Sequence, residues 1–122
     1  MYRRAKITPT KTGQFVTLWK RTKNGPIQPF DSNDEIDLVV IDTPSANRLG
    51  QFVFPKGVLL EKGVLSNDRK EGKRGFRVYP PWDIATSKQA QKTQSWQLKY
   101  FLSYSNDEPI DINRAKSLYL QP

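Results

Sequence analysis

The residues that could do chemistry in this chain are limited by its composition. It contains no cysteine and no histidine. This excludes disulfides, zinc sites built on Cys or His, imidazole general bases, and Ser-His or Cys-His nucleophile pairs. Any catalysis must therefore use carboxylates, lysine, tyrosine or serine.

A metal-dependent nuclease is the enzyme that the remaining residues fit best. Glu71-Gly72-Lys73, with Asp68 upstream, is an acid-x-Lys element. Nucleases place such an element on an apolar strand, where both groups are aimed at one Mg²⁺ and at the attacked phosphate. Here it lies in a hydrophilic segment, as do the acidic pairs Asp34-Glu35 and Asp107-Glu108. Gly72-Lys73-Arg74-Gly75 lacks the frame and the Ser or Thr of a P-loop. We keep a nuclease as an alternative and expect no catalytic residue, no metal and no cofactor.

Basic residues interleaved with aromatic residues form the stronger pattern. Phosphate binding requires cations spaced along a backbone, and base stacking requires exposed aromatic rings; neither requires His, Cys or a metal. For Trp19 we favour core packing, because it shares a predicted strand face with Phe15 and Thr17. We predict a nucleic-acid-binding surface in which the cations contact phosphates and Tyr79 and Trp82 stack bases: Arg3, Arg4, Lys6, Lys11, Lys20, Arg21, Lys73, Arg74, Arg77, Tyr79 and Trp82.

The charge of the chain also favours an anionic partner. Its 122 residues carry 20 Lys and Arg against 12 Asp and Glu, which gives a formal charge of +8 and a sequence pI near 9.8. Residues 1–30 contain seven bases and no acid, whereas residues 31–47 contain five acids and no base. One interpretation is that these two segments neutralise each other; the other is that the excess binds an anion. No apolar stretch is long enough to span a bilayer and none resembles a signal peptide, so we expect a cytoplasmic protein without membrane contact.

The elements that must position these residues are mostly short strands. Alternating and β-branched runs predict strands over residues 3–8, 13–21, 36–41, 52–54 and 75–79, the first two forming a hairpin. A short helix is predicted over residues 55–63, beginning at Pro55 and ending at Gly63. A long helix is predicted over residues 87–104, with Thr86 or Ser87 as its cap. Its apolar arc includes Trp96, and Lys88, Lys92 and Lys99 lie on the opposite side. Residues 110–120 fit a helix and an extended tail equally well. The predicted fold class is α+β: a strongly bent antiparallel sheet of about five strands, a partial barrel, covered by that one long helix.

Four blocks of the sequence resemble the MepB family of small bacterial proteins: residues 4–21, 50–56, 72–82 and 87–101. The family is named after a multidrug-efflux operon. The resemblance implies an α+β fold with a curved antiparallel sheet, and nucleic-acid binding is the function it suggests. The positions that match the family sequence are Lys6, Thr8, Lys11, Trp19, Lys20, Arg21, Lys73, Arg74, Arg77, Tyr79 and Trp82. We expect residues 1–122 to form a single MepB-like domain. Members often extend further at the N-terminus, so the resemblance also suggests a short member or a fragment whose first strand lacks its partner.

These observations lead to one prediction and two alternatives. We predict a non-enzymatic protein that binds nucleic acid, DNA rather than RNA, with weak sequence selectivity, because no recognition-helix pattern is visible. The alternatives are the metal-dependent nuclease and a protein-interaction or regulatory module, linked to drug-resistance operons, that binds an acidic protein partner.

Overall fold

The computed structural model describes residues 1–46, 48–104 and 109–120. No helix among them is long and apolar enough to cross a membrane. The described residues form nine strands, three α-helices and one 3-10 turn, in this order: β1 (Tyr2–Arg4), β2 (Lys6–Ile7), β3 (Gln14–Thr17), β4 (Lys20–Arg21), β5 (Ile27–Gln28), β6 (Leu38–Asp42), β7 (Leu49–Pro55), α1 (Lys56–Glu61), β8 (Gly75–Val78), α2 (Lys88–Gln97), the 3-10 turn Leu98–Tyr100, β9 (Phe101–Tyr104) and α3 (Ile112–Tyr119).

The strands are divided among three sheets, and the class is α+β. The largest sheet has the order β1-β6-β7-β9, the second has the order β2-β3-β8, and β4 pairs with β5 alone. All pairings are antiparallel except β1 with β6. The described strands form no closed barrel, and they do not form the single bent sheet that we expected. β1 is an edge strand and pairs with β6.

The division arises where one or two residues, including a buried one, interrupt the predicted strands. Ala5 separates β1 from β2, and its N–H donates to Asp42 of the first sheet. Leu18, which is fully buried, follows β3, and its N–H still donates to the carbonyl of Arg74, the residue opposite it in the β3–β8 register. After Trp19 the chain enters β4, which pairs only with β5. Because the alternating pattern continues through both residues, sequence periodicity does not reveal that the chain passes from one sheet to another.

The core lies on both sides of β7. Phe52, Val53 and Phe54 are all fully buried. Phe52 and Phe54 pack in the main cluster, whereas Val53 packs on the opposite side with Leu102 and with Leu118 of α3. A strand with both faces covered has a continuous apolar sequence, which is the pattern at residues 52–54.

The long helix predicted from Ser87 to Tyr104 is shorter than expected. Its start is correct: Ser87 is the N-cap, and its Oγ accepts a hydrogen bond from the N–H of Ala90 at 3.0 Å. It ends at Gln97, and after the 3-10 turn the chain enters β9, which pairs with β7. Phe101 and Leu102 are buried in different clusters on the two sides of the sheet. A strand points consecutive side chains to opposite faces, as this arrangement requires, whereas a helix separates them by only about 100°.

Two shorter elements agree with the sequence more closely. α1 begins after Pro55, and Gly63 stops it with a φ of 74°. Residues 110–120, for which two conformations were open, contain α3, whose N-cap Asp111 accepts a hydrogen bond from the N–H of Arg114.

Candidate nucleic-acid interface

The outer face of the β2-β3-β8 sheet carries a row of two cations with an aromatic ring between them. Lys6 lies directly opposite Phe15, and Phe15 lies directly opposite Arg77. Residues opposite each other in an antiparallel pair share a face, so the three side chains cross the sheet side by side. Lys6 is exposed, Phe15 is 38% exposed, and the Arg77 guanidinium carbon is 5.9 Å from the Phe15 ring centroid. We call these three residues the sheet row.

The expectation that the Phe15 and Thr17 face packs in the core is wrong. The buried side chains of β3 are Gln14 and Val16, whereas Phe15 and Thr17 are exposed. Alternation identified the two faces correctly but did not identify which of them is inside, because a polar residue is buried here. The Gln14 amide donates to the carbonyl of Pro44 at 2.9 Å, which offsets part of the cost of burying it.

The turn between β2 and β3 holds Arg77 in position. The Arg77 Nη1 donates to the hydroxyl of Thr8 at 3.1 Å and to the carbonyls of Thr12 and Gly13 at 3.3 and 3.4 Å. Gly13 has a φ of 82°, and a Cβ built on it would lie 2.7 Å from the Tyr79 ring. A glycine at position 13 is therefore required for the β2–β3 turn to pack against Tyr79 and accept the hydrogen bonds of Arg77.

A concave site lies between β8 and α2, next to the sheet row. It has a volume of about 350 Å³, and Arg77 belongs to both features. Its cations are Lys62, Lys73 and Arg77. Its aromatic lining residues are the buried Phe76 and the partly exposed Tyr79 and Trp96. Among the residues that the structure describes, no acidic side chain lines it. Hydroxyl and amide groups complete the lining: Ser87, Gln89, Thr93 and Gln97. We call this site the basic cleft.

Glutamines on α2 connect the helix to the strand and so form the base of the cleft. Gln97 is fully buried; its Oε1 accepts from the N–H of Tyr79 at 2.8 Å, and its Nε2 donates to the carbonyl of Arg77 at 2.9 Å. β8 lies at the edge of its sheet, so these bonds replace the pairing that another strand would provide. Gln94, one turn earlier, donates to the carbonyls of Pro80 and Asp83 at 2.9 Å each. The positions of Arg77 and Tyr79 are therefore coupled to α2.

A second, more open depression continues from the basic cleft along α2. It has a volume of about 450 Å³ and shares Lys62, Trp96 and two polar residues with the cleft. Lys92 and Lys99 add two further cations, and no acidic residue is among its described lining. The Lys62 Nζ is 5.4 Å from the Trp96 ring centroid. We call this depression the helix groove, and the sheet row, basic cleft and helix groove together the strip.

Trp96 was expected on the apolar side of α2, opposite the lysines, and its ring contacts both the core and the helix groove. Its ring packs 5.5 Å from that of Phe54 in the core and also lines the helix groove beside Lys92 and Lys99. The sequence did contain a signal for this placement. Lys92, Trp96 and Lys99 are separated by four and three residues, the spacing that puts side chains on one helix face.

Several predicted residues lie elsewhere, in pairs with other groups. Lys20 contacts Asp31 at 3.0 Å and Asp34 at 2.8 Å. Its hydrogen bond to Asp34 raises the pKa of Lys20, and its hydrogen bond to Asp31 lowers the pKa of that carboxyl. Arg74 contacts Glu71 at 3.0 Å, and the Arg21 guanidinium carbon is 5.6 Å from the Trp19 ring. For Lys20, the acidic segment supplies the neutralising partners.

The N-terminal arginines lie on β1 in the other large sheet. Arg4 borders a cavity of about 30 Å³ together with Asp42 and Tyr104. Asp42 also accepts a hydrogen bond from the hydroxyl of Tyr2, and this bond raises the pKa of Tyr2. The Arg3 guanidinium donates to the carbonyl of Tyr2. Neither arginine lines the basic cleft or the helix groove.

Two further predicted residues, Trp82 and Lys11, lie outside the strip. Trp82 is half-buried and packs edge-on against Phe101 of the core cluster, with ring centroids 5.7 Å apart. Lys11 is exposed in the β2–β3 turn. The structure thus brings together four predicted residues in the strip, Lys6, Lys73, Arg77 and Tyr79. It adds five that we did not include: Phe15, Lys62, Lys92, Trp96 and Lys99.

The acid-x-Lys element does not form a metal site with its neighbours. Glu71 is paired with Arg74, and Lys73 lines the basic cleft. Across residues 1–46, 48–104 and 109–120, no three His, Cys, Asp or Glu side chains are grouped closely enough to hold a metal ion. The nuclease alternative therefore has no supporting cluster in that part of the chain.

Comparison with known proteins identifies the family. A family model described as MepB-like matches residues 1–103. The chain belongs to the MepB-like family. It is also similar to a solved structure, the crystal structure of MepB, at 42% sequence identity and a TM-score of 0.82; the match covers 88% of this chain and 71% of that one. A search of curated proteins found no match. The resemblance seen in the four sequence blocks is confirmed, and α3 lies beyond the residues that the family model matches.

Proposed function

We propose that this MepB-like protein is a non-enzymatic nucleic-acid-binding protein that acts on DNA in the cytoplasm. The observation that carries the proposal is the strip, which has six cations and three at least partly exposed aromatic rings (Phe15, Tyr79 and Trp96) on contiguous features. No acidic side chain is among the described lining residues of its cleft and groove. Cations that lack neighbouring carboxylates attract phosphates strongly, because no internal ion pair has to be broken first.

The arrangement of the strip fits a polyanion better than a single small anion. Its cations come from β2, β8, α2, the 3-10 turn, and the segments that follow α1 and precede β8, and they extend from Lys6 through Arg77 to Lys99. A phosphate or other small anion would occupy only one part of this surface. A nucleic-acid backbone presents a charge at every nucleotide and can contact the whole strip.

Weak sequence selectivity follows from the same geometry. Three of the four glutamines of α2, Gln91, Gln94 and Gln97, are hydrogen-bonded to backbone groups of β8 and of the loop that follows it. α2 therefore packs against the protein through its amide side chains, which are the groups that usually read adenine. Its outward lysines are suited to phosphate contacts, which position a protein without reading sequence.

The proposal is tested by titrating a fluorescently labelled oligonucleotide at several salt concentrations and measuring anisotropy. We expect the logarithm of the affinity to fall linearly with the logarithm of the salt concentration. The double variant Lys62→Gln, Lys73→Gln should weaken binding and reduce that slope by about two units, one per cation. Both side chains are exposed, so the fold should be retained.

The matched control is Arg69→Gln, Lys70→Gln, which removes the same charge from an exposed loop outside the strip. It should leave the affinity within about twofold of the parent protein. A salt-independent affinity would refute nucleic-acid binding through phosphates, and an equal loss in both double variants would refute the strip as the interface. Binding of an acidic protein with no nucleic-acid affinity would favour the regulatory module instead.

A further inference from the structure

We infer that Arg114 of α3 is a positioning residue for Lys99: it fixes the backbone of the 3-10 turn from which Lys99 extends into the helix groove. This inference rests on the proposed function and adds to it a residue that lies outside the strip. Arg114 is half-buried, and it belongs to a helix beyond residues 1–103, the part of the chain that the family model matches.

The Arg114 guanidinium binds three backbone carbonyls where α2 and the 3-10 turn end. Its Nη2 donates to the carbonyl of Lys99 at 2.8 Å and to that of Leu98 at 3.2 Å. Nη2 and Nε both donate to the carbonyl of Phe101, at 3.1 and 3.2 Å. The last carbonyls of a helix lack partners within the helix and carry a partial negative charge, so a cation with several N–H groups is suited to cap them. Arg114 thus connects α3 to the end of α2.

The 3-10 turn is the place where the chain changes from helix to strand. α2 ends at Gln97, and Phe101 begins β9 with extended backbone angles. Leu98 and Tyr100, on either side of Lys99 in the sequence, pack against the core cluster. The exposed side chain of Lys99 instead lines the helix groove. Because Arg114 already holds its carbonyl, Lys99 loses less conformational freedom when it binds an anion.

α3 can support the turn in this way because the helix is itself fixed to the large sheet. Leu118 is buried against Val53 of β7, and the Tyr119 hydroxyl donates to Oε1 of Gln51 on the same strand. Arg114 lines neither the basic cleft nor the helix groove. Its effect on binding must therefore pass through the turn that carries Lys99.

Lys92 provides the comparison that separates this role from a general effect of charge. It lines the same groove, but it lies within α2, about two turns before Lys99. The backbone carbonyl of Lys92 is bonded inside the helix, whereas the hydrogen bonds described for the Arg114 guanidinium all go to residues 98–101. A change at Arg114 should therefore alter the contribution of Lys99 to binding and leave that of Lys92 as it is.

The experiment is a double-mutant cycle, measured by anisotropy with the labelled oligonucleotide of the salt titration. Lys99→Gln should weaken binding about fivefold at physiological salt, the effect of losing one phosphate contact. Arg114→Gln should weaken binding about threefold, and the double variant should still lose only about fivefold, because no lysine is left for Arg114 to position. Two independent effects would instead multiply to a loss of about fifteenfold.

The matched control is the same cycle with Lys92→Gln in place of Lys99→Gln, in which the two effects should multiply. Arg114→Lys keeps the charge and can still donate to a carbonyl, so it should bind within about twofold of the parent protein. Its small loss should vanish in the Lys99→Gln background. Circular dichroism checks the fold of each variant, and Arg114→Lys carries the test if Arg114→Gln does not fold.

Two results would overturn this inference. One is that the effects of Arg114→Gln and Lys99→Gln multiply, and the other is that Arg114 is coupled equally to Lys92 and to Lys99. The proposed function would then remain, as long as the affinity of the parent protein still depends on salt. A salt-independent affinity of the parent protein would overturn both.

Discussion

The sharpest prediction concerns Gln97, which joins α2 to the edge of β8. In the variant Gln97→Leu, the side chain keeps nearly the same size but loses both hydrogen-bonding groups. The N–H of Tyr79 then has no acceptor, and the carbonyl of Arg77 loses its donor. Gln97 is fully buried, so water cannot replace the amide without opening the contact between helix and strand.

The expected loss of stability follows from these two backbone groups, the N–H of Tyr79 and the carbonyl of Arg77. Each orphaned buried group costs about 1–3 kcal/mol, and the buried leucine returns about 1.5–3 kcal/mol of apolar burial. We therefore expect the free energy of unfolding to fall by about 2 kcal/mol, which corresponds to a decrease in Tm of about 8 °C for a domain of this size. Because β8 carries Arg77 and Tyr79, binding of nucleic acid should weaken as well.

The assay is urea unfolding followed by tryptophan fluorescence, with Gln89→Leu as the control. Gln89 is on the same helix but exposed, so the identical substitution there should change the free energy of unfolding by less than about 0.5 kcal/mol. If Gln97→Leu and Gln89→Leu unfold at the same urea concentration as the parent protein, the role assigned to the buried amide is incorrect.

Three further predictions use the same unfolding assay. Gly13→Ala should lower the free energy of unfolding by about 2 kcal/mol, because it strains a φ of 82° and brings a methyl group against the Tyr79 ring. Its control is Gly57→Ala in α1, where a Cβ meets open space, and this variant should be more stable than the parent by about 0.5–1 kcal/mol. Equal effects of the two substitutions would contradict the argument. Lys20→Met should cost about 1 kcal/mol at pH 7. Because Lys20 lowers the pKa of Asp31, the stabilisation from this pair is complete above the ordinary carboxyl pKa and is lost as the pH falls through the lowered pKa of Asp31. The difference in free energy of unfolding between the variant and the parent should therefore shrink below about pH 4. A difference that stays constant with pH would disprove the pairing. Leu118→Ala should cost about 3 kcal/mol if α3 is part of the cooperative unit, and no change would show that it is not.

Signals that act over a few residues were read correctly from the sequence. The capping hydroxyl of Ser87, the stop at Gly63 and the alternation of buried Phe76 and Val78 with Arg77 all depend on the chain within about one turn or two strand residues. The family was also recognisable, because short blocks of sequence carry it. These features need no knowledge of which distant segment lies nearby.

The composition of the strip was decided only by the tertiary structure. Lys62 follows α1 and Trp96 lies on α2, and the two side chains meet only because the fold brings both to the basic cleft. Lys20 looked equivalent to Lys6 in the sequence, yet it lies against two carboxylates while Lys6 lies beside Phe15. The sequence alone therefore determined that the chain carries excess positive charge, short strands and a capped helix. Which cations remain beside aromatic rings and which are neutralised depends on contacts between residues far apart in the chain, and only the packed fold specifies those contacts.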